Sequence, residues 1–253
     1  MTVSSPALLQ QIHRRLFKAF GPQHWWPAET RFEVIVGAIL TQNTNWGNVE
    51  KAINNLKKKR LLSPRCLRDV SQQTLASLIR PAGYFNIKTK RLKNFIHFFF
   101  KEYQGDLKKM AQEETAQLRR KLLSINGIGP ETADSILLYA LDKPVFVVDA
   151  YTKRVLYRHN LVDSRADYSA VQELFMKHLK ADVKLFNEYH ALLVRLGKDY
   201  CRTKPLCERC VLKDCRYSLK DKCPQCHRAL TAVEIRENRQ RRYRAPQVCR
   251  DCK

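Results

Sequence analysis

Apolar residues recur at three- and four-residue spacing through ten segments of the chain, from ALLQQIHRRLFKAF (7–20) and RFEVIVGAIL (31–40) to AYTKRVLYRH (150–159) and LFNEYHALLVRLGKDY (185–200). That spacing gathers them on one face of a helix. Only PVFVV (144–148) reads as extended, because every position in it is apolar. The loops between segments are brief, and there is no heptad repeat, low-complexity tract or long linker. The pattern predicts an all-α globular fold of short helices. It stops near Arg216, where a tail rich in cysteine and arginine begins.

A length of 253 residues with 44% apolar content suffices for one or two compact domains plus a small appendage. The first twenty-one residues lack a cationic start followed by an apolar core, and no window approaches eighteen uninterrupted apolar residues. Neither a secretory signal nor a membrane span is expected, and the chain is expected to act in the cytoplasm as a monomer. Forty-seven Lys and Arg against 24 Asp and Glu give a formal charge of +23. In a soluble chain that balance points to an anionic polymer, most often nucleic acid; a solvated basic surface or an anionic membrane is the alternative.

The nine cysteines divide sharply. Cys66 stands alone in SPRCLRD, where a half-buried side chain with no chemistry is the simplest reading. The others all follow residue 200, and clustered cysteines without a secretion signal argue for metal rather than disulfides. Cys201, Cys207, Cys210 and Cys215 run C-x5-C-x2-C-x4-C, a compact loop able to wrap one iron–sulfur cluster or one zinc. Cys223 and Cys226 in CPQC, with Cys249 and Cys252 in CRDC, form two C-x2-C knuckles 22 residues apart. That spacing matches a zinc ribbon, each knuckle turning two sulfurs toward one tetrahedral Zn2+. His227 follows the first knuckle, but four cysteines already complete the site. A ribbon this small needs its metal to fold. Between the knuckles, EIRENRQRRYR carries five Arg and a Tyr, suited to phosphate contact and stacking or to a plain solvated surface. The predicted boundary puts 1–216 in a helical domain and 217–253 in the ribbon.

In LLSINGIGPETADSI, a helix is expected to end at Asn126, Gly127-Ile128-Gly129 to make a tight turn, and Pro130 to open the next helix where its missing N–H is harmless. The glycines let a partner approach, and N–H groups at a helix start suit a phosphate. This is a helix-hairpin-helix pattern. About twenty residues on, Asp149 precedes AYTKRVLYRH where an N-cap belongs.

With that hairpin, the aspartate of VVDAYTKR and the four-cysteine loop, residues 8–216 resemble the helix-hairpin-helix superfamily of DNA glycosylases, the endonuclease III family. The resemblance implies two helical subdomains, a hairpin of Gly127 and Gly129 that grips duplex DNA beside a flipped nucleotide, and Asp149 serving the glycosidic bond. It also implies a [4Fe–4S] cluster on Cys201, Cys207, Cys210 and Cys215, although the first and third cysteine gaps are each one residue shorter than usual. Members that also cleave the strand carry a lysine two residues after the second glycine, where this chain has Glu131. A carboxylate cannot form an imine, so a monofunctional enzyme that leaves an abasic site is implied.

HWWPAETRFEVIVGAILTQNTNWGNVEKAI and IRPAGYFNIKTKRL look like the 3-methyladenine DNA glycosylase III branch of this superfamily. That likeness sets Trp25, Trp26, Pro27 and Trp46 around an extruded base and Gln42 in the gap left in the duplex. The expected function is base excision repair on nucleoid DNA carrying alkylated purines. A mismatch uracil or thymine glycosylase shares Asp149, the hairpin and the iron–sulfur loop; a non-catalytic DNA-binding protein shares the hairpin, the charge and the ribbon.

Overall fold

The computed structural model describes residues 5–159, 161–163 and 165–213. In chain order it has α1 (Ser5–Phe20), α2 (Arg31–Leu40), α3 (Trp46–Lys58), α4 (Pro64–Asp69), α5 (Gln72–Leu78), a 3-10 turn (Arg80–Ala82), α6 (Phe85–Tyr103), α7 (Leu107–Gln112) and α8 (Thr115–Leu123). Then come α9 (Pro130–Ser135), a π-helical turn (Ile136–Ala140), α10 (Ala150–Arg158), α11 (Tyr168–His178), α12 (Val183–Asp199) and a 3-10 turn (Cys207–Arg209). Among the described residues there is no strand, so the expected all-α class holds. Among them too, no helix is long and apolar enough to cross a membrane. The 216/217 boundary, the ribbon with its four predicted ligands Cys223, Cys226, Cys249 and Cys252, and the predicted cluster ligand Cys215 lie outside the described residues.

Two helices, α4 and α7, have no counterpart among the ten predicted segments. Each has 6 residues, too few for a helical period to show, and each is announced only by its cap: Ser63 accepts from Cys66 N, and Asp106 from Lys108 N. PVFVV, expected to be extended, forms a buried connector rather than a sheet strand: Val145, Phe146, Val147 and Val148 are all buried. Cys66 is half-buried in α4.

The chain divides into two compact units, one made of Trp26–Val147 and the other of the described residues up to Trp25 and from Val148 onward. In the first unit, α2 is buried from Phe32 to Leu40, so it runs through the core rather than over it. Ile35 and Ile39 share that core with Val49, Ile53 and Leu56 of α3, Phe95 and Phe99 of α6, Leu118 and Leu122 of α8, and Leu137. Each such side chain contributes about 1.5–3 kcal/mol by leaving water.

In the second unit α10 lies against α12, with Gly197 as the contact. A Cβ added there would stand 2.6 Å from Tyr151 Cδ1, so only glycine admits the tyrosine ring. Arg154 locks the same joint, donating from Nε to Cys201 O at 2.7 Å and from Nη2 to Gly197 O at 2.9 Å.

Candidate functional site

The glycine turn between α8 and α9 begins earlier than the sequence suggests. Helix α8 ends at Leu123 with Ser124 as its C-cap, because the backbone bonds tighten there: Ile125 N donates to Leu122 O and Ile128 N to Ile125 O. Gly127 has φ +93°, the left-handed region. A Cβ on it would come within 2.3 Å of Arg91 Cγ, so the turn lies directly on the Arg91 side chain of α6. Gly129 differs in both respects. Its φ of −93° suits any residue, and a Cβ there would meet nothing within 4 Å. Pro130 opens α9 as expected, and Glu131 sits exposed in the first turn, where a negative charge favours the helix dipole.

Four side chains brace this hairpin. Arg119 of α8 makes a forked pair with the fully buried Asp134 of α9, 2.6 Å from Nε to Oδ1 and 3.0 Å from Nη2 to Oδ2. Asn94 Nδ2 donates to Asn126 O at 3.0 Å. Gln42 Nε2 donates to Gly127 O at 3.0 Å and to Thr132 Oγ1 at 2.9 Å. Arg91 Nη1 in turn donates to Gln42 Oε1. Gln42 is therefore a strut of the hairpin in this state. Arg91 was not singled out in the sequence, and no local pattern marks it.

Of the predicted aromatic set, Trp26 and Trp46 are brought together, with ring centroids 5.2 Å apart and planes at 88°, an edge-to-face arrangement. Tyr139 completes the group at 5.3 Å from Trp26. Its side chain enters from the π-helical turn, which apolar spacing does not distinguish from a regular helix, so neither the turn nor this residue is singled out in the sequence. Trp26 rests on Gly37 of α2, where an added Cβ would lie 3.3 Å from the indole Nε1. Pro27 is exposed beside it. Trp25 belongs to the other unit, where the Lys198 ammonium lies 5.8 Å from its ring centroid.

Asp149 is the N-cap of α10. Its Oδ1 accepts from Thr152 N at 2.7 Å, and its backbone carbonyl accepts from Lys153 N at 3.0 Å. The other carboxylate oxygen, Oδ2, lies 3.8 Å from Nε2 of His190 on α12. The aspartate side chain is 12% exposed, shielded but reachable. Burial pulls the His190 imidazole below its usual pKa, opposed by the Asp149 charge.

In the cysteine loop, Cys201 is buried and none of Cys66, Cys201, Cys207 and Cys210 forms a disulfide. The fully buried Arg158 donates to Cys201 Sγ at 3.3 Å and to the carbonyls of Arg202 and Thr203 at 2.5 and 3.0 Å. Burial meanwhile pushes the Cys207 thiol up, which suits a thiol and not a thiolate unless a metal takes the proton's place. Among the described residues no group of three or more His, Cys, Asp or Glu is gathered closely enough to hold a metal ion.

A braced glycine hairpin followed by a capping aspartate defines a helix-hairpin-helix class of protein. The profile of the HhH-GPD superfamily of base excision DNA repair proteins matches residues 36–181, and the chain belongs to that superfamily. It is 51% identical over 209 residues to a Methanocaldococcus jannaschii protein provisionally named a DNA repair glycosylase, spanning 82% of this chain and 94% of the relative. It is similar to the solved structure of H. pylori 3-methyladenine DNA glycosylase (MagIII) bound to 1,N6-ethenoadenine, with 30% identity and a TM-score of 0.67 over 78% of this chain and 98% of that one. An endonuclease III–DNA complex shares the fold at 20% identity, with a TM-score of 0.73 over 85% of this chain and 97% of that one.

Proposed function

We propose that this DNA repair glycosylase of the HhH-GPD superfamily acts as a monomer on duplex DNA, removing alkylated purines such as 3-methyladenine by hydrolysis and leaving an abasic site. The observation that carries the reading is the aromatic group of Trp26, Trp46 and Tyr139. Alkylation at N3 makes a purine cationic, and an indole face attracts a desolvated cation by about 1–2 kcal/mol beyond stacking. The similarity to the MagIII structure, whose ligand is a modified adenine, supports the same substrate class.

The backbone of a strand approaches the hairpin at Gly129, where the open space admits it. The first N–H groups of a helix have no carbonyl from a preceding turn, so they suit a phosphate oxygen. Trp25 and Pro27 are assigned to the base pocket with the aromatic group, and Gln42 to the gap left in the duplex. At Asp149, the carboxylate opposes positive charge developing on the sugar and aims a water at C1′. The C1′–N bond breaks with its electrons going to the base, which leaves neutral. The water oxygen bonds to C1′ and its proton passes to the carboxylate. Glu131 offers no amine for an imine, which supports hydrolysis without strand cleavage.

Cys201, Cys207, Cys210 and Cys215 are the proposed ligands of a [4Fe–4S] cluster, supported by the thiol donor set and by Arg158 against Cys201. Cys223, Cys226, Cys249 and Cys252 are the proposed ligands of Zn2+. Neither group takes part in a step of the reaction.

The test is base-release profiling by mass spectrometry on methylated DNA beside duplexes with mismatched uracil or thymine. Release of 3-methyladenine from an otherwise intact strand supports the reading. Release of the mismatched pyrimidines alone replaces it with a mismatch glycosylase, and no release of any base leaves a DNA-binding protein.

A further inference from the structure

The fold treats the two oxygens of the Asp149 carboxylate differently. Oδ1 is taken by the N-cap bond from Thr152 N. One such bond leaves the carboxylate able to rock about it, and it does not decide where Oδ2 points. Oδ2 faces Nε2 of His190 at 3.8 Å, longer than a hydrogen bond but well inside the range where a polar N–H biases a carboxylate in a shielded site. The imidazole side chain is 6% exposed, so water screens the contact weakly.

His190 is itself held firmly. It lies two turns before Gly197 on α12, and that glycine is the seat on which Tyr151 of α10 rests. Arg154 fixes the same two helices through the carbonyls of Gly197 and Cys201. On the α1 side, the neighbouring Tyr189 donates to Leu9 O at 2.8 Å and meets the His13 ring at 5.0 Å. The side chain therefore approaches Asp149 from a braced helix rather than from a loop. Burial favours the neutral imidazole, which carries one N–H.

We infer that His190 is a positioning residue for the reaction, its Nε2–H turned to Asp149 Oδ2 so that the carboxylate is held in one plane. This rests on the reading of Asp149 as the carboxylate that serves the sugar. A carboxylate that must both oppose a cationic sugar and aim a water loses rate steeply when its plane drifts. His190 does not touch DNA; it acts only through Asp149.

The test uses the full-length, metal-loaded protein, single-turnover base release and the dissociation constant for the damaged duplex. His190→Leu should slow base release by about 10- to 100-fold while the dissociation constant stays within about threefold, a loss confined to the transition state. His190→Gln, whose terminal amide places an N–H near that of Nε2, should recover most of the rate. His190→Asn, as polar but too short, should stay slow, so the Gln–Asn pair decides the matter even where the leucine variant does not fold. In an Asp149→Asn background, His190→Leu should cost nothing further. Equal rates for the Gln and Asn variants, or a wild-type rate for His190→Leu beside an inactive Asp149→Asn, overturn the inference alone. An Asp149→Asn enzyme retaining more than about a tenth of the wild-type rate overturns the reading of Asp149 on which it rests.

Discussion

The two glycines of the hairpin should fail in opposite ways when they are given side chains. Gly127→Ala places an L-residue at φ +93°, which costs about 1–2 kcal/mol. It also drives a methyl to within 2.3 Å of Arg91 Cγ. The arginine must then move, loosening its bond to Gln42 at about 1 kcal/mol more. A total near 2–3 kcal/mol lowers the melting temperature by about 5–10 °C in a chain of this size. Gly129→Ser meets open space at an unstrained φ, and a serine hydroxyl is a better N-cap than glycine by a few tenths of a kcal/mol. Its melting temperature should therefore match or slightly exceed the wild type. The same side chain would occupy the space through which the DNA backbone is proposed to approach, so affinity for a duplex should fall by about tenfold or more, roughly 1.4 kcal/mol. The pair is read by thermal melting beside fluorescence anisotropy with a labelled duplex. Wild-type affinity in Gly129→Ser refutes the approach of the strand to Gly129. Unchanged stability in Gly127→Ala refutes the packing argument.

Borohydride should fail to trap the unmodified protein on DNA, and Glu131→Lys should gain trapping and weak strand cleavage; strong trapping by the wild type would mean that another lysine, such as Lys153, reaches the sugar. Anaerobically purified protein should contain about four irons and about one zinc per chain, and metal analysis finding two zincs without iron would overturn the cluster assignment. The buried Lys88 donates to Leu40 O and Ala82 O, and burial lowers its pKa to about 8. Between pH 8 and its ordinary 10.5, the folded chain sheds a proton that the unfolded chain keeps, so stability from this group rises with pH in that window. Melting of wild type against Lys88→Met should therefore shift toward the wild type from pH 8 to 10, and a constant difference would refute it.

What the sequence revealed and what it hid follow from how far apart the interacting residues lie. The Gly127 turn, the Pro130 start and the Asp149 cap are each encoded within a few neighbouring residues, so they were legible. Period revealed the long helices, but α4 and α7 are shorter than two turns and show only a capping residue. The π-helical turn left no mark, because Ile136–Ala140 is as apolar as a regular helix there would be; Tyr139, which meets Trp26, lies in it. Arg91 and His190 are hidden for a different reason. They lie 36 residues before Gly127 and 41 after Asp149 in the sequence, and only packing brings them to those residues. The glycines make the physical point most plainly. In GIGP they are equivalent letters, and a reading of the sequence gave both the same task. One is required by the chain's own arginine, and the other has nothing of its own chain to accommodate. A glycine at an ordinary φ with open space above it is not required by packing against its own chain. Its missing side chain leaves room for a partner from outside, which under the proposed function is the phosphate backbone.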